Sequence, residues 1–320
     1  MNTLDQIKIN VSKELKEFDN LFSHYVNSPV PLLNILINHI IRRKGKQFRP
    51  LLVYLSAKLH GEINNKTTIA ATLIELLHTA TLIHDDIVDE TFERRGNLSV
   101  NALWKSKKAV LIGDYLLSQG MLIAINNNCF DLLKTISESV KDMSEAELLQ
   151  ITAKRKFDFR RETYFEIISK KTASLISACT ITGSQTTTND VTIHQKMKLF
   201  GKYLGIAFQI KDDIFDFQKS GIIGKPIGND LIENKITLPF ILSFEESSIT
   251  EKKDILKMLF KKKDIQSVNE YIKRKKGIEN SIQIMIEYKN KSLKILSDFD
   301  VMKRNSPLID LVNYTIDRNL

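Results

Sequence analysis

Between Pro50 and Pro226 the chain contains no proline. Proline removes a helix hydrogen bond and collides with the preceding turn, so a silence of this length leaves room for several long helices. Apolar spacing agrees, because Leu73, Leu76, Leu77, Ala80 and Ile83 follow the three-four step of a helix face, as do Leu199, Tyr203, Ile206 and Ile210. Strand-like alternation is nearly absent. Helix ends are expected at Gly45, Gly61, Gly96, Asn126 to Asn128, Gly183 and the Ser220 to Gly228 loop. With no repeat and no low-complexity linker, residues 1–320 read as one all-α domain of about a dozen helices, a bundle whose ligand groups project inward.

With 42% hydrophobic and 27% charged residues among 320, the composition is globular rather than disordered. Cys129 and Cys179 are the only cysteines and form no C-x-x-C pair, which argues against a disulfide framework or structural zinc and fits a reducing, cytoplasmic setting. The N-terminal MNTLDQIKINVSKELKEF reads as an amphipathic helix and not as a signal peptide. The stretches AATLIELLHTATLI and AVLIGDYLLSQGMLIAI are interrupted by Glu75 and Asp114, and are expected to fall short of the roughly 18 uninterrupted apolar residues of a membrane span.

The net charge of +9 is concentrated late: residues 251–305 hold 15 Lys and Arg against 8 Asp and Glu. This basic part reads as a solvated helical surface, with weak contact to an anionic membrane surface as a further expectation. A nucleic-acid partner is not expected, since Lys261 to Lys263 and Lys273 to Lys276 have no interleaved aromatics and no recognisable binding module.

Two segments carry the chemistry: LIHDDIVDE around Asp85, Asp86 and Asp89, and QIKDDIFDF around Asp212, Asp213 and Asp216. Both read D-D-x-x-D. On a helix, residues four apart share a face, so Asp85 with Asp89, and Asp212 with Asp216, each pair two carboxylates. Like charges at that spacing repel unless a cation neutralises them. Hard oxygen ligands suit Mg²⁺, which commonly links one or two carboxylates to substrate phosphates. Lys46 and Arg49 in GKQFRP, and Arg94 and Arg95 after the first cluster, are natural phosphate clamps, Arg by paired hydrogen bonds and Lys as a point charge.

The ordered set GKQFRP, ELLHTATLIHDDIVDETFERRG, GDYLLSQG, Lys171-Thr172, FQIKDDIFDF, Gly224-Lys225-Pro226 and Lys235-Ile236-Thr237-Leu238-Pro239 resembles the trans-isoprenyl (polyprenyl) diphosphate synthases, over residues 44–239. The resemblance implies an antiparallel helix bundle around a deep central cavity, the isoprenoid synthase type I fold, working as a homodimer. It implies three Mg²⁺ ions held by Asp85, Asp89 and Asp212 on the diphosphate of an allylic substrate, with Asp86, Asp213 and Asp216 orienting the shell. Arg94, Lys171, Lys211, Lys225 and Lys235 would surround that diphosphate. Lys46, Arg49, His78 and Arg95 would bind isopentenyl diphosphate, and Gln209 and Thr172 would lie near the developing cation. His84 would serve packing or support the metal shell. The chain departs from the family pattern at Lys44 to Gln47, at Ala146 and in a shortened loop after Phe217.

The reaction implied is ionisation, condensation and elimination. In this family the product stops growing when it meets a bulky side chain beneath the first aspartate motif. Here Ala80 and Thr81 are small, with Leu77 further down, so a long-chain all-trans product is expected, for quinone side chains. The alternatives are a shorter-chain farnesyl or geranylgeranyl diphosphate synthase, a terpene cyclase, and a non-catalytic subunit of a heteromeric prenyl synthase. The intact second D-D-x-x-D and the retained Arg pair argue against the last two.

Overall fold

The computed structural model describes residues 3–41, 47–89, 93–94, 97–98, 100–218, 237–299 and 306–317. They form α1 Thr3–Ile9, α2 Ser12–Val26, α3 Pro31–Ile41, α4 Phe48–His60, α5 Asn65–Val88, α6 Val100–Asn126, α7 Phe130–Lys156 and α8 Arg161–Ile168. There follow α9 Ser174–Gln185, α10 Val191–Gln218, α11 Leu238–Glu245, α12 Ile249–Lys257, α13 Ile265–Arg274, α14 Gly277–Ser297 and α15 Ser306–Asp317. Two π-helical turns, Ser169–Ala173 and Met258–Lys262, interrupt the α-geometry. A minimal hairpin, β1 Glu93–Arg94 with β2 Asn97–Leu98, pairs Glu93 with Leu98. The four longest helices, α5, α6, α7 and α10 with 24, 27, 27 and 28 residues, all lie in the proline-free stretch.

The chain divides into two compact units, residues 1–140, 178–198 and 301–308, and residues 141–177, 199–300 and 309–320. Among the described residues the boundaries between these units fall inside α7, α9, α10 and α15.

In the first unit α5 is the central element. Residues Thr67 to Ile74 are all buried, as are Leu76, Leu77, His78 and Ala80, so this helix is enclosed on nearly every side. Its start is fixed by a capping box in which the Asn64 side chain accepts from Thr67 N while the Thr67 side chain accepts from Asn64 N. Asn64 Nδ2 then donates to Thr186 O at 2.7 Å, and the Thr67 and Thr186 hydroxyls meet at 2.8 Å. Gly61 ends α4 as expected, and α6 ends at Asn126. Gly183 does not end a helix: α9 runs on to Gln185. A Cβ at Gly183 would sit 2.4 Å from Val53 O and 2.8 Å from Ser56 Cβ, so this glycine serves the close crossing of α9 on α4.

Among its described residues, the second unit gathers two apolar clusters. One joins Tyr164, Ile168, Ile206, Ile210, Ile214 and Leu238. The other gathers Phe159, Phe217, Phe240, Leu259 and Tyr271, with Phe159 edge-on to Phe240 at 5.3 Å. At the start of α8, Asp158 accepts two hydrogen bonds from the Arg160 guanidinium at 2.8 and 2.7 Å and one from Thr163 Oγ1 at 2.9 Å. The hydrogen bonds from Arg160 hold the Asp158 carboxyl well below the usual carboxylate range.

Both cysteines are free and buried, and burial pushes the Cys179 thiol up to about 12. Among the described residues, Ser106–Asn126 is long and apolar enough to cross a membrane by length and composition, with Asp114 interrupting its apolar run. Only 39% of its most apolar window is buried, and Leu111, Met121, Leu122 and Ile125 are exposed. The apolar excess of α6 thus lies partly on an outer face rather than wholly in the core.

Candidate active site

The first aspartate cluster ends α5. Asp89 caps the helix, and its N–H donates to Asp85 O at 2.8 Å, so the backbone carries these two residues through one full turn. They therefore share a face, as the spacing predicts. Asp85 is half-buried, Asp89 is exposed, and Asp86 is buried at 3% exposure. One residue earlier, the His84 ring rests on α6: its Nε2 lies 3.6 Å from Asp114 Oδ1 and 3.4 Å from Val110 O. A Cβ at Gly113 would lie 2.1 Å from that nitrogen. Gly113 therefore makes the seat that fixes the end of α5, which gives the GDYLLSQG segment a local structural purpose.

Beneath the cluster Ala80 is fully buried and Thr81 is half-buried, its hydroxyl donating to His78 O at 3.0 Å. Leu77 and Leu73 pack toward α6, where a Cβ at Gly120 would lie 3.0 Å from Leu73 Cδ1 and 3.7 Å from Leu77 Cδ2. His78 is buried at 8% exposure, and Arg49 stands half-buried in the first turn of α4. Gln47, before α4, is left-handed with φ 54°, and its Nε2 donates to Asp19 Oδ1 at 2.8 Å. Of the departure at Lys44 to Gln47, only Gln47 lies within the described residues. Lys46, Arg95, Lys225 and Lys235 lie outside the described residues, as does the side chain of Arg94.

The second cluster lies within α10, where Asp212 and Asp216 are half-buried and one turn apart. Asp213 faces the core at 4% exposure and accepts three hydrogen bonds: Tyr164 Oη at 2.7 Å and Leu238 N at 3.0 Å on Oδ2, and Gln209 Nε2 at 3.0 Å on Oδ1. Hydrogen bonds to a charged group contribute about 1.5–3 kcal/mol each, so these partners offset part of the cost of burying a carboxyl group here. Thr172 Oγ1 donates to Gln209 Oε1 at 2.7 Å. Lys211 lies 4.5 Å over the Phe215 ring. Lys171 forms an ion pair with Glu147 of α7 and donates to Gln150 Oε1 at 3.1 Å.

Lys171, Thr172, Gln209 and Asp213 line a cavity of about 200 Å³ together with Tyr164 and Thr237. A wider hollow of about 650 Å³, lined by Lys13, Glu17, His24 and Asn64, lies away from every motif and has none of this chemistry. Sequence reasoning missed Tyr164 and Glu147. Nothing in their local patterns marks them, since each matters only through a partner distant in the chain.

Among the described residues no group of three or more His, Cys, Asp or Glu side chains forms a metal cage. The donor set still suits Mg²⁺, which takes one or two protein carboxylates and completes its shell with water and phosphate oxygens.

The chain belongs to the polyprenyl synthetase family, which matches residues 30–274. It is a trans-polyprenyl diphosphate synthase, a prenyltransferase of all-α fold. It is 34% identical to the all-trans-nonaprenyl-diphosphate synthase (geranyl-diphosphate specific) of Rhodobacter capsulatus, over 77% of this chain and 76% of that one. It is 29% identical to the heptaprenyl diphosphate synthase component 2 of Bacillus subtilis, over 90% and 83% of the two chains. The crystal structure of a polyprenyl synthase from Caulobacter crescentus, complexed with calcium and isoprenyl diphosphate, superposes with a TM-score of 0.91 at 27% identity, covering 99% of this chain and 98% of that one.

Gly205 of α10 sets the approach of the Ser169–Ala173 turn that carries Lys171 and Thr172. A Cβ there would lie 2.5 Å from Ala173 Cα and 2.7 Å from Ala173 Cβ. Gly205→Ala gains about 1 kcal/mol of helix propensity, but backbone cannot yield as a side-chain tip can, and overpacking costs about 1–3 kcal/mol. We expect a net loss of stability in chemical denaturation together with reduced turnover; a stabilised, fully active variant would contradict this packing.

Proposed function

We propose that this enzyme condenses isopentenyl diphosphate with an allylic diphosphate, in a Mg²⁺-dependent reaction, to make a long-chain all-trans polyprenyl diphosphate that serves quinone side chains. The observation that carries the reading is the end of α5, where Asp85 and Asp89 share one face and Ala80 lies a turn below them. The calcium and isoprenyl diphosphate named with the Caulobacter protein support a divalent cation on a diphosphate. Asp85, Asp89 and Asp212 are assigned to three Mg²⁺ ions. When bound, the metal supplies positive charge to a departing diphosphate.

The chain's own residues do the rest. Lys171, Lys211 and Lys225, with Arg94, bind the allylic diphosphate, Lys171 exchanging Glu147 for phosphate oxygens. Lys46, Arg49, His78 and Arg95 bind isopentenyl diphosphate, and Lys235 completes the basic set. The allylic C–O bond breaks, its electron pair leaving with the diphosphate. The double bond of isopentenyl diphosphate attacks the resulting cation, and a proton passes to the released diphosphate. Thr172 and Gln209 offer oxygen dipoles that stabilise the cation without capturing it.

The names nonaprenyl and heptaprenyl among the relatives support a long product. Small side chains at Ala80 and Thr81 provide the physical reason. The exposed apolar face of α6, Leu111, Met121, Leu122 and Ile125, supports a homodimer, while the name "component 2" of the Bacillus relative favours a heteromer as the second reading.

Three measurements test these assignments. Asp85→Ala and Asp212→Ala should each lower kcat/KM by roughly 10²–10³ without unfolding the protein, and EDTA should abolish turnover that Mg²⁺ restores; wild-type protein that elongates no primer, alone or with a partner, refutes the function. Ala80→Phe should shorten the dephosphorylated product, and an unchanged length would remove the chain-length role. Leu122→Glu should shift the sedimentation of a dimer toward monomer, whereas a wild-type monomer at all concentrations would exclude the homodimer.

A further inference from the structure

Asp213 differs from its neighbours in the second cluster. Asp212 and Asp216 are half-buried on one helical face, whereas Asp213 is turned into the core and accepts from Tyr164, Leu238 N and Gln209. The Leu238 N–H can only donate, and the Gln209 amide nitrogen and the Tyr164 hydroxyl likewise point at the carboxyl oxygens, so Asp213 is the acceptor of all three bonds, which fixes the direction of the next ones. Gln209 must present its NH₂ to Asp213; the reverse orientation would set a carbonyl oxygen against a carboxylate oxygen at 3.0 Å with no proton between them. The Gln209 carbonyl therefore faces Thr172, whose hydroxyl at 2.7 Å has to donate. The Thr172 proton is thus committed, and only the lone pairs of its oxygen remain for a group in the 200 Å³ cavity that it lines.

We infer that Tyr164 and Asp213 are positioning residues that hold Thr172 as a hydrogen-bond acceptor toward the developing allylic cation, and that Asp213 is not a metal ligand. This rests on the condensation reaction proposed above. Tyr164 and the Leu238 N–H, at the first turn of α11, together occupy Oδ2 and prevent the carboxylate from rotating. Asp213 accepts from the amide and the amide accepts from the hydroxyl, so each bond in the chain polarises the next and the Thr172 oxygen is more electron-rich than an isolated one. Tyr164 is itself held at the start of α8, where Asp158 clamps Arg160 and Thr163, and Tyr164 N donates to Arg160 O at 3.2 Å.

A double-mutant cycle in the full-length enzyme tests the inference, with isopentenyl diphosphate, a farnesyl diphosphate primer and Mg²⁺ as the assay. Tyr164→Phe should lower kcat by about tenfold, with the KM of both diphosphates and the Mg²⁺ half-saturation little changed. Thr172→Ser should retain more activity than Thr172→Val. Tyr164→Phe combined with Thr172→Val should be no slower than Thr172→Val alone, because the phenol acts through the hydroxyl. Should Tyr164→Phe fail to fold by circular dichroism, Asp213→Asn gives the same test. Its amide would present N–H to Gln209, turn that side chain over and reverse the Thr172 hydroxyl, and this loss too should vanish in the Thr172→Val background. Independent, multiplying losses would overturn the inference, as would a Tyr164→Phe variant whose chief defect is weaker Mg²⁺ binding. Inactive wild-type protein would remove the condensation reading and this inference together, whereas active wild type with multiplying losses removes only this one.

Discussion

Carboxylates placed one turn apart on helices that are otherwise given to the core are the constraint on which the rest depends. Mutual repulsion makes each pair unfavourable in isolation, and burial raises that cost because the charged form loses water. A folded chain can carry such pairs only if its packing holds them rigidly and something positive meets them. In the first unit, rigidity comes from an α5 enclosed almost throughout and seated on α6 through His84 and Gly113. In the second it comes from the three donors around Asp213. In the function proposed above, a divalent cation is what would meet them.

Close helix approach is the common means. Gly183 lets α9 meet α4, Gly113 admits the His84 ring, and Gly205 lets the π-helical turn with Lys171 and Thr172 lie against α10. In each case a Cβ would come within 3 Å of another atom, so these glycines serve packing and not turns. The π-helical turn is itself a departure from regular helix, of the kind that often falls at functional segments, and it carries the residues proposed above for the allylic diphosphate.

The sequence made much of this legible. Proline's absence and the three-four apolar steps foretold the long helices, since both act within a few residues of their cause. The D-D-x-x-D spacing foretold shared faces, which the Asp89 to Asp85 backbone bond bears out. Gly183 was misjudged as a stop, because a helix-ending glycine and a helix-crossing glycine look alike until the crossing helix is known. Which face of α6 stays uncovered is likewise not given by periodicity along one helix.

What the sequence by itself determined was helix type, helix length and which carboxylates share a helix face. These follow from local sterics and from spacing along one helix. Only the tertiary structure decided which aspartate of the second cluster turns inward, which proton Thr172 has committed, and that Lys171 rests on Glu147. Those outcomes depend on donors and acceptors tens of residues away, such as Tyr164 for Asp213, and no local pattern can encode a partner that only folding brings within hydrogen-bond reach.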